Sequence, residues 1–214
     1  MGSNEKGMRH DNAKILGFGL LALAALLVMK GKKAPGVGKL NPIEQENKRI
    51  KRNKRLYKEL SADSNYTVKF DERNGGLKAT HKDHNFDKDK GVYEKNVQEA
   101  GYKAGCSVVL ASEKDKELNE RFTEGFWDGV DFEIAGNETG TSGNILRGLK
   151  HCASKIETEI AVLYFPIGVF DRDKLERAIG RYKGLEKLND GQFLFFQKII
   201  CVEDKEIVYI TDLS

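Results

Sequence analysis

Ile160-Ala-Val-Leu-Tyr-Phe165 is an unbroken apolar stretch that follows Glu159 and runs into Pro166. A short run without apolar/polar alternation reads as a strand covered on both faces. Such a strand needs helices on either side of its sheet, so a mixed α/β sandwich is expected. The surrounding pattern agrees. Tyr66–Phe70 and Leu77–His81 flank Arg73-Asn-Gly-Gly76 and read as a hairpin. Val92–Ala104 has helical spacing and is ended by Gly105, and Cys106–Ala111 reads as a buried strand. A strand is expected around Val130–Ile134, then a helix from Gly143 or Asn144 to about Ser154. After the strand at 160–165, Asp171–Tyr182 is an amphipathic helix with Asp171 a fair N-cap. Phe193–Val202 and Ile207–Thr211 close the chain as two strands. The expected order is β-β-α-β-β-α-β-α-β-β, with a right-handed βαβ crossover over 130–165.

At 214 residues there is room for one well-cored domain and an appendage. The division read from sequence is a hydrophobic segment at 1–30, a basic linker and helix at 31–62, and the α/β domain at 63–214. Ile15–Met29 is an uncharged run of fifteen flanked by Lys14 and Lys30. As a helix it would span roughly 22 Å against a hydrocarbon core of roughly 30 Å. Flanking lysines can snorkel, so a membrane anchor is one reading. A signal peptide and a helix buried in a larger assembly are the others. Val28-Met29-Lys30-Gly31-Lys32 offers no small-x-small cleavage site. The cations that follow the run would put the C-terminal domain on the cytoplasmic side. Lys48, Arg49, Lys51, Arg52, Lys54 and Arg55 carry much of that charge, although the whole chain is only at +3. Their segment reads as an exposed basic helix near lipid head groups or nucleic acid, or as a solvated spacer. Cys106, Cys152 and Cys201 are odd in number, far apart and without CxxC spacing, and so read as packed thiols.

The residues that carry chemistry lie in the middle of the chain. Asp131 and Glu133 project from one face of a strand, with Phe132 on the other. Two carboxylates held that close repel, and a divalent cation such as Mg²⁺ relieves the repulsion. Glu94 adds a carboxylate on a helix. Asn144, Arg147 and His151, at helical spacings of zero, three and seven, share a face that can grip phosphates. The loop at 136–143 leads into that helix and can offer backbone N–H groups to a phosphate, though it lacks the P-loop arrangement. His81-Lys-Asp-His84 is an HxxH pair without a third zinc ligand at a recognised spacing, and its histidines are placed near nucleic-acid phosphates. Phe126 and Trp127 read as core anchors.

Gly76, Gly91-Val-Tyr-Glu94, Gly105-Cys-Ser-Val-Val-Leu110, Asp128-Gly-Val-Asp131-Phe-Glu133-Ile, Asn144-Ile-Leu-Arg147 and Ile160-Ala-Val-Leu163 follow in that order. Together they resemble the C-terminal nuclease domain of contact-dependent inhibition (CdiA) toxins, also attached to phage Mu F-like head proteins and other mobile-element products. The resemblance covers about residues 70–214. It implies a fold akin to PD-(D/E)xK nucleases and an RNase, often directed at tRNA, that uses Mg²⁺ or Mn²⁺. It also implies an immunity protein that restrains the toxin. Carried across, Glu94 is the helix carboxylate, while Asp131 and Glu133 bind the metal. The family pattern places a lysine two residues after the second carboxylate, where this chain has Ala135. Either Arg147 or Lys150 supplies the missing cation, or the site is degenerate and the fold serves as a membrane- or virion-associated binding module.

Overall fold

The computed structural model describes residues 41–86, 88–89, 91–112, 114, 123–155, 158–188 and 196–213. Ile15–Met29, with the membrane or signal reading attached to it, lies outside the described residues. Among the described residues, no helix is long and apolar enough to cross a membrane.

Eight strands form one mixed sheet whose spatial order equals their chain order. They are β1 (Tyr66–Phe70), β2 (Leu77–His81), β3 (Ser107–Leu110), β4 (Gly125–Trp127), β5 (Val130–Gly136), β6 (Ile160–Phe165), β7 (Lys198–Glu203) and β8 (Glu206–Asp212). The helices are α1 (Pro42–Ala62), α2 (Gly91–Lys103), α3 (Ser142–Ala153) and α4 (Arg172–Leu188). Antiparallel pairs join β1 to β2, β3 to β4, β4 to β5 and β7 to β8. The three parallel pairs, β2/β3, β5/β6 and β6/β7, are bridged by α2, α3 and α4. The mixed α/β class expected from sequence is therefore present.

All six residues of β6 are buried, as an unalternating strand requires. Ala161, Leu163 and Phe165 pack with Ile199 and Cys201 against Ile145, Leu149 and Cys152 of α3 and Leu175 and Ala178 of α4. Ile160, Val162 and Tyr164 point the other way and pack with Val108, Leu110 and Phe132 against Val97 and Ala100 of α2. Cys152 and Cys201 are buried and Cys106 is half-buried, all three as free thiols. Burial pushes Cys106 and Cys201 up to about 12.

Two features differ from the sequence expectation. The first is β4, a three-residue strand joined to β5 by Asp128 (φ 52°) and Gly129 (φ 83°). Two consecutive left-handed residues make the tight turn that matches strand twist, and Asp-Gly is its sequence signal. The second is α1. Asn41 caps it by accepting from the Glu44 N–H at 2.9 Å, with Pro42 in the first turn. Rather than a detached spacer, the helix lies against β1 and β2, where Leu60 joins Leu77, Ala79 and Val109 in an apolar cluster. Burying one such leucine contributes about 1.5–3 kcal/mol. Asn53, fully buried, donates to the Gly75 and Gly105 carbonyls at 2.9 and 3.2 Å. The compact unit accordingly runs over Lys39–Ser214 and takes in this helix.

Candidate metal centre

The shortness of β4 creates the site. Its last pair with β5 is Gly125 with Phe132, and the Glu124 N–H still donates to the Phe132 carbonyl. Strand β5 continues to Gly136, so residues 133–136 extend beyond its partner and the sheet opens there. The opening is a cavity of about 360 Å³ between the first turn of α2 (Tyr93, Glu94), Glu124, residues 133–136 of β5, and the Asn144/Arg147/Gly148/His151 face of α3. Two glycines shape its walls. A Cβ on Gly136 would lie 2.7 Å from the Tyr93 ring, and one on Gly148 would lie 3.2 Å from the Ala135 Cβ. Tyr93 itself stacks on Tyr164 with centroids 4.4 Å apart and donates its hydroxyl to Glu138 at 2.9 Å.

Glu94 and Glu124 of the cavity wall come together with the buried His84. Their ligand atoms all lie within 4.8 Å of one another. His84 Nε2 is 3.1 Å from Glu94 Oε2 and 3.5 Å from Glu124 Oε1. His84 Nδ1 is 3.0 Å from the Ala111 carbonyl oxygen. A carbonyl can only accept, so Nδ1 carries a proton and Nε2 faces the carboxylates. This is the arrangement by which a backbone carbonyl orients a metal-binding imidazole. The group can hold a metal ion. Burial, the largest influence on His84, pulls its pKa down. The hydrogen bond to Glu94 and the charge of Glu124 outweigh it, so the pKa stands above its ordinary value. A proton on Nε2 and a metal therefore compete for the same two carboxylates.

Glu133 lies deeper and is almost fully buried. Its Oε1 is 3.1 Å from His151 Nε2 and 3.6 Å from Lys155 Nζ. Its Oε2 is buried without a hydrogen-bond partner. An ionised oxygen left unpaired in a protein interior is costly, and such atoms concentrate where a ligand or a proton is to be received.

Of the residues singled out from sequence, the structure brings Glu94, Glu133, Asn144, Arg147 and His151 around one cavity. His84 belongs to the metal-competent group rather than to a phosphate-binding surface. Asp131 is also buried, but it neither lines the cavity nor belongs to that group, which is built one strand over, on Glu124. Lys150 is exposed and lies off the cavity-facing arc of α3. His81 is the last residue of β2. Its Nδ1 accepts the Asp83 N–H at 3.1 Å, and its ring meets Tyr66 edge-on at 4.9 Å. At the loop before α3, Thr141 caps the helix by accepting the Asn144 N–H, and Asn144 Oδ1 accepts from Thr139. Glu124, Lys155 and Tyr93 were not anticipated. Counting outward from the Asp128-Gly129 turn puts Glu124 opposite Glu133, a signal present in the sequence. Comparison with known families, curated proteins and solved structures returns no match to this chain.

Proposed function

We propose that the domain is a metal-dependent nuclease that hydrolyses phosphodiester bonds, with RNA, and tRNA in particular, as the substrate the family resemblance implies. The observation that carries this reading is the convergence of His84 with Glu94 and Glu124, the two carboxylates lining a cavity that is also lined by Glu133, whose Oε2 is unpartnered, and by Arg147. His84 Nε2 and the two carboxylates would hold the ion. An imidazole among carboxylates favours Mn²⁺ over Mg²⁺, which prefers oxygen ligands throughout. A metal bound there supplies Lewis acidity and lowers the pKa of a coordinated water. Glu133 Oε2 would take a proton from an attacking water. His151 and Lys155 lie beside that carboxylate and would fill the role left open by Ala135. Arg147 is available to a non-bridging phosphate oxygen, where charge grows in the transition state.

Ala135 is buried beside Gly148, where an added Cβ would come within 3.2 Å of it. The groups beside Glu133 are instead His151, in the last turn of α3, and Lys155 just beyond it. One observation favours a second reading, a retired nuclease fold acting as a binding module. In its protonated form His84 would bridge Glu94 and Glu124, and so relieve their repulsion without a metal.

Incubation of the full chain with total tRNA and with a DNA duplex, with Mn²⁺ or Mg²⁺ against EDTA, separates the two. The first reading expects metal-dependent cutting that Glu133→Ala abolishes. Intact substrates in every lane would leave the binding-module reading.

A further inference from the structure

Helix α1 turns one side to the sheet and leaves the other bare. Lys48, Lys51, Lys54, Arg55 and Lys58 are all exposed. Lys48, Lys51, Arg55 and Lys58 recur at steps of three, four and three, so they form one stripe along about 15 Å of helix. Arg49 and Arg52, by contrast, are committed to the fold. Arg49 donates to the Ala104 and Asn74 carbonyls, and Arg52 pairs with Asp128 at 2.6 Å. Lys54 and Arg55 have only exposed glutamate partners, Glu72 and Glu59. Lys48, Lys51 and Lys58 have no carboxylate partner among the described residues.

Lys51, Arg55 and Lys58 of the stripe, with Lys54 and Glu59, border a shallow hollow, and the stripe carries no exposed aromatic ring. Tyr57, the aromatic residue of α1, is turned inward and stacks on Phe70 at 5.4 Å. A row of lysines and arginine without stacking platforms suits a broad layer of negative charge better than a single nucleic-acid strand, whose recognition uses base stacking. The chain preceding α1 adds a second argument. Only eleven residues separate Met29, the end of the apolar run, from the α1 cap Asn41, and four of them are lysines. Fully extended, they reach roughly 40 Å. If the run contacts lipid, the length of this link keeps α1 within about 40 Å of the head groups, close enough to find the surface repeatedly.

We propose that the outer face of α1 is an electrostatic contact for an anionic lipid surface of the phosphatidylserine or phosphatidylglycerol type. The contact holds the folded domain against the membrane. It is independent of the nuclease reading and uses none of the residues around the cavity.

The test is partition of the full chain onto vesicles of pure phosphatidylcholine and of phosphatidylcholine with phosphatidylserine. The wild type is compared with Lys48→Gln/Lys51→Gln/Lys58→Gln. The ratio of the two partition coefficients removes whatever the apolar run contributes by itself. At about 0.1 M salt the triple variant is expected to lower that ratio on the order of a hundredfold, since each lysine near such a surface contributes about fivefold. The difference should shrink in strong salt. All three positions are exposed, so an unchanged thermal midpoint verifies the fold. A ratio equal in wild type and variant overturns the proposal. So does a variant that keeps the ratio but loses affinity for single-stranded RNA, which would assign the stripe to nucleic acid.

Discussion

Glu133 Oε1 lies 3.1 Å from His151 Nε2, while Oε2 of the same carboxylate is buried and has no hydrogen-bond partner. Half of the side chain is thus satisfied and half is held ready. His151 is half exposed at 51%, so the imidazole reaches solvent while the carboxylate does not. A protein selected for stability alone would gain by removing such an oxygen, because burying it unpaired costs about 1–3 kcal/mol. Such an oxygen beside His151 and Lys155 is the physical case for a working site.

Glu133→Gln should therefore separate stability from activity. The substitution keeps the shape and removes the buried charge, so the urea midpoint should stay level or rise by the equivalent of about 1 kcal/mol. Metal-dependent cleavage should fall by about 10²–10⁴, the usual worth of a proton-transferring group. A large loss of stability with cleavage intact would contradict this account.

Placing a lysine at position 135, where the resemblance expects one, should not help. Ala135 is 6% exposed and faces α3, where even a Cβ on Gly148 would come within 3.2 Å of it. Ala135→Lys should destabilise by at least about 2 kcal/mol through overpacking and a buried charge, measured in urea. Cleavage should not increase. A stable, more active variant would mean that α3 yields more readily than its packing suggests.

Asn53 tests whether α1 belongs to the domain. Its amide satisfies the carbonyls of Gly75 and Gly105, one in the β1–β2 loop and one after α2. Asn53→Ala leaves both without this donor and should cost about 1–3 kcal/mol in a single cooperative transition. A change below a few tenths would return α1 to the status of a loose spacer.

Acid should act on the β1–β2 loop in a defined window. Side-chain and backbone hydrogen bonds from Arg73 hold Asp71 down at about 2, against an ordinary value near 3.8. A carboxylate whose pKa is lowered by folding stabilises the native state above its unfolded pKa and loses that contribution as it protonates. Asp71→Asn should lower the thermal midpoint at neutral pH. The gap from wild type should close as pH falls from about 4 to about 2. A gap that persists at the acid end would assign the effect to shape rather than charge.

Much of the fold is legible in the chain because its signals are local. The uniform apolar character of residues 160–165 announces a doubly covered strand, and Gly105 ends α2 where the periodicity stops. Strand β4 is not legible by the same means, since three residues give no period to read. Its signature is instead the Asp128-Gly129 turn, which also fixes the register that sets Glu124 opposite Glu133. The α3 face of Asn144, Arg147 and His151 follows from helical geometry alone. Joining His84 to Glu94 and Glu124 is different. It depends on where β4 stops and on how a turn after β2 folds back to Ala111, and neither is encoded in spacing. Asn53 was hidden by composition, one buried amide in a helix otherwise crowded with exposed charge.

The most direct measurement is a calorimetric titration of Mn²⁺ into the full chain, beside Glu94→Gln and Glu124→Gln. The account predicts one ion bound per chain, with affinity falling at least about tenfold in each variant. No binding by the wild type, or equal binding by all three proteins, would contradict a metal centre at His84, Glu94 and Glu124.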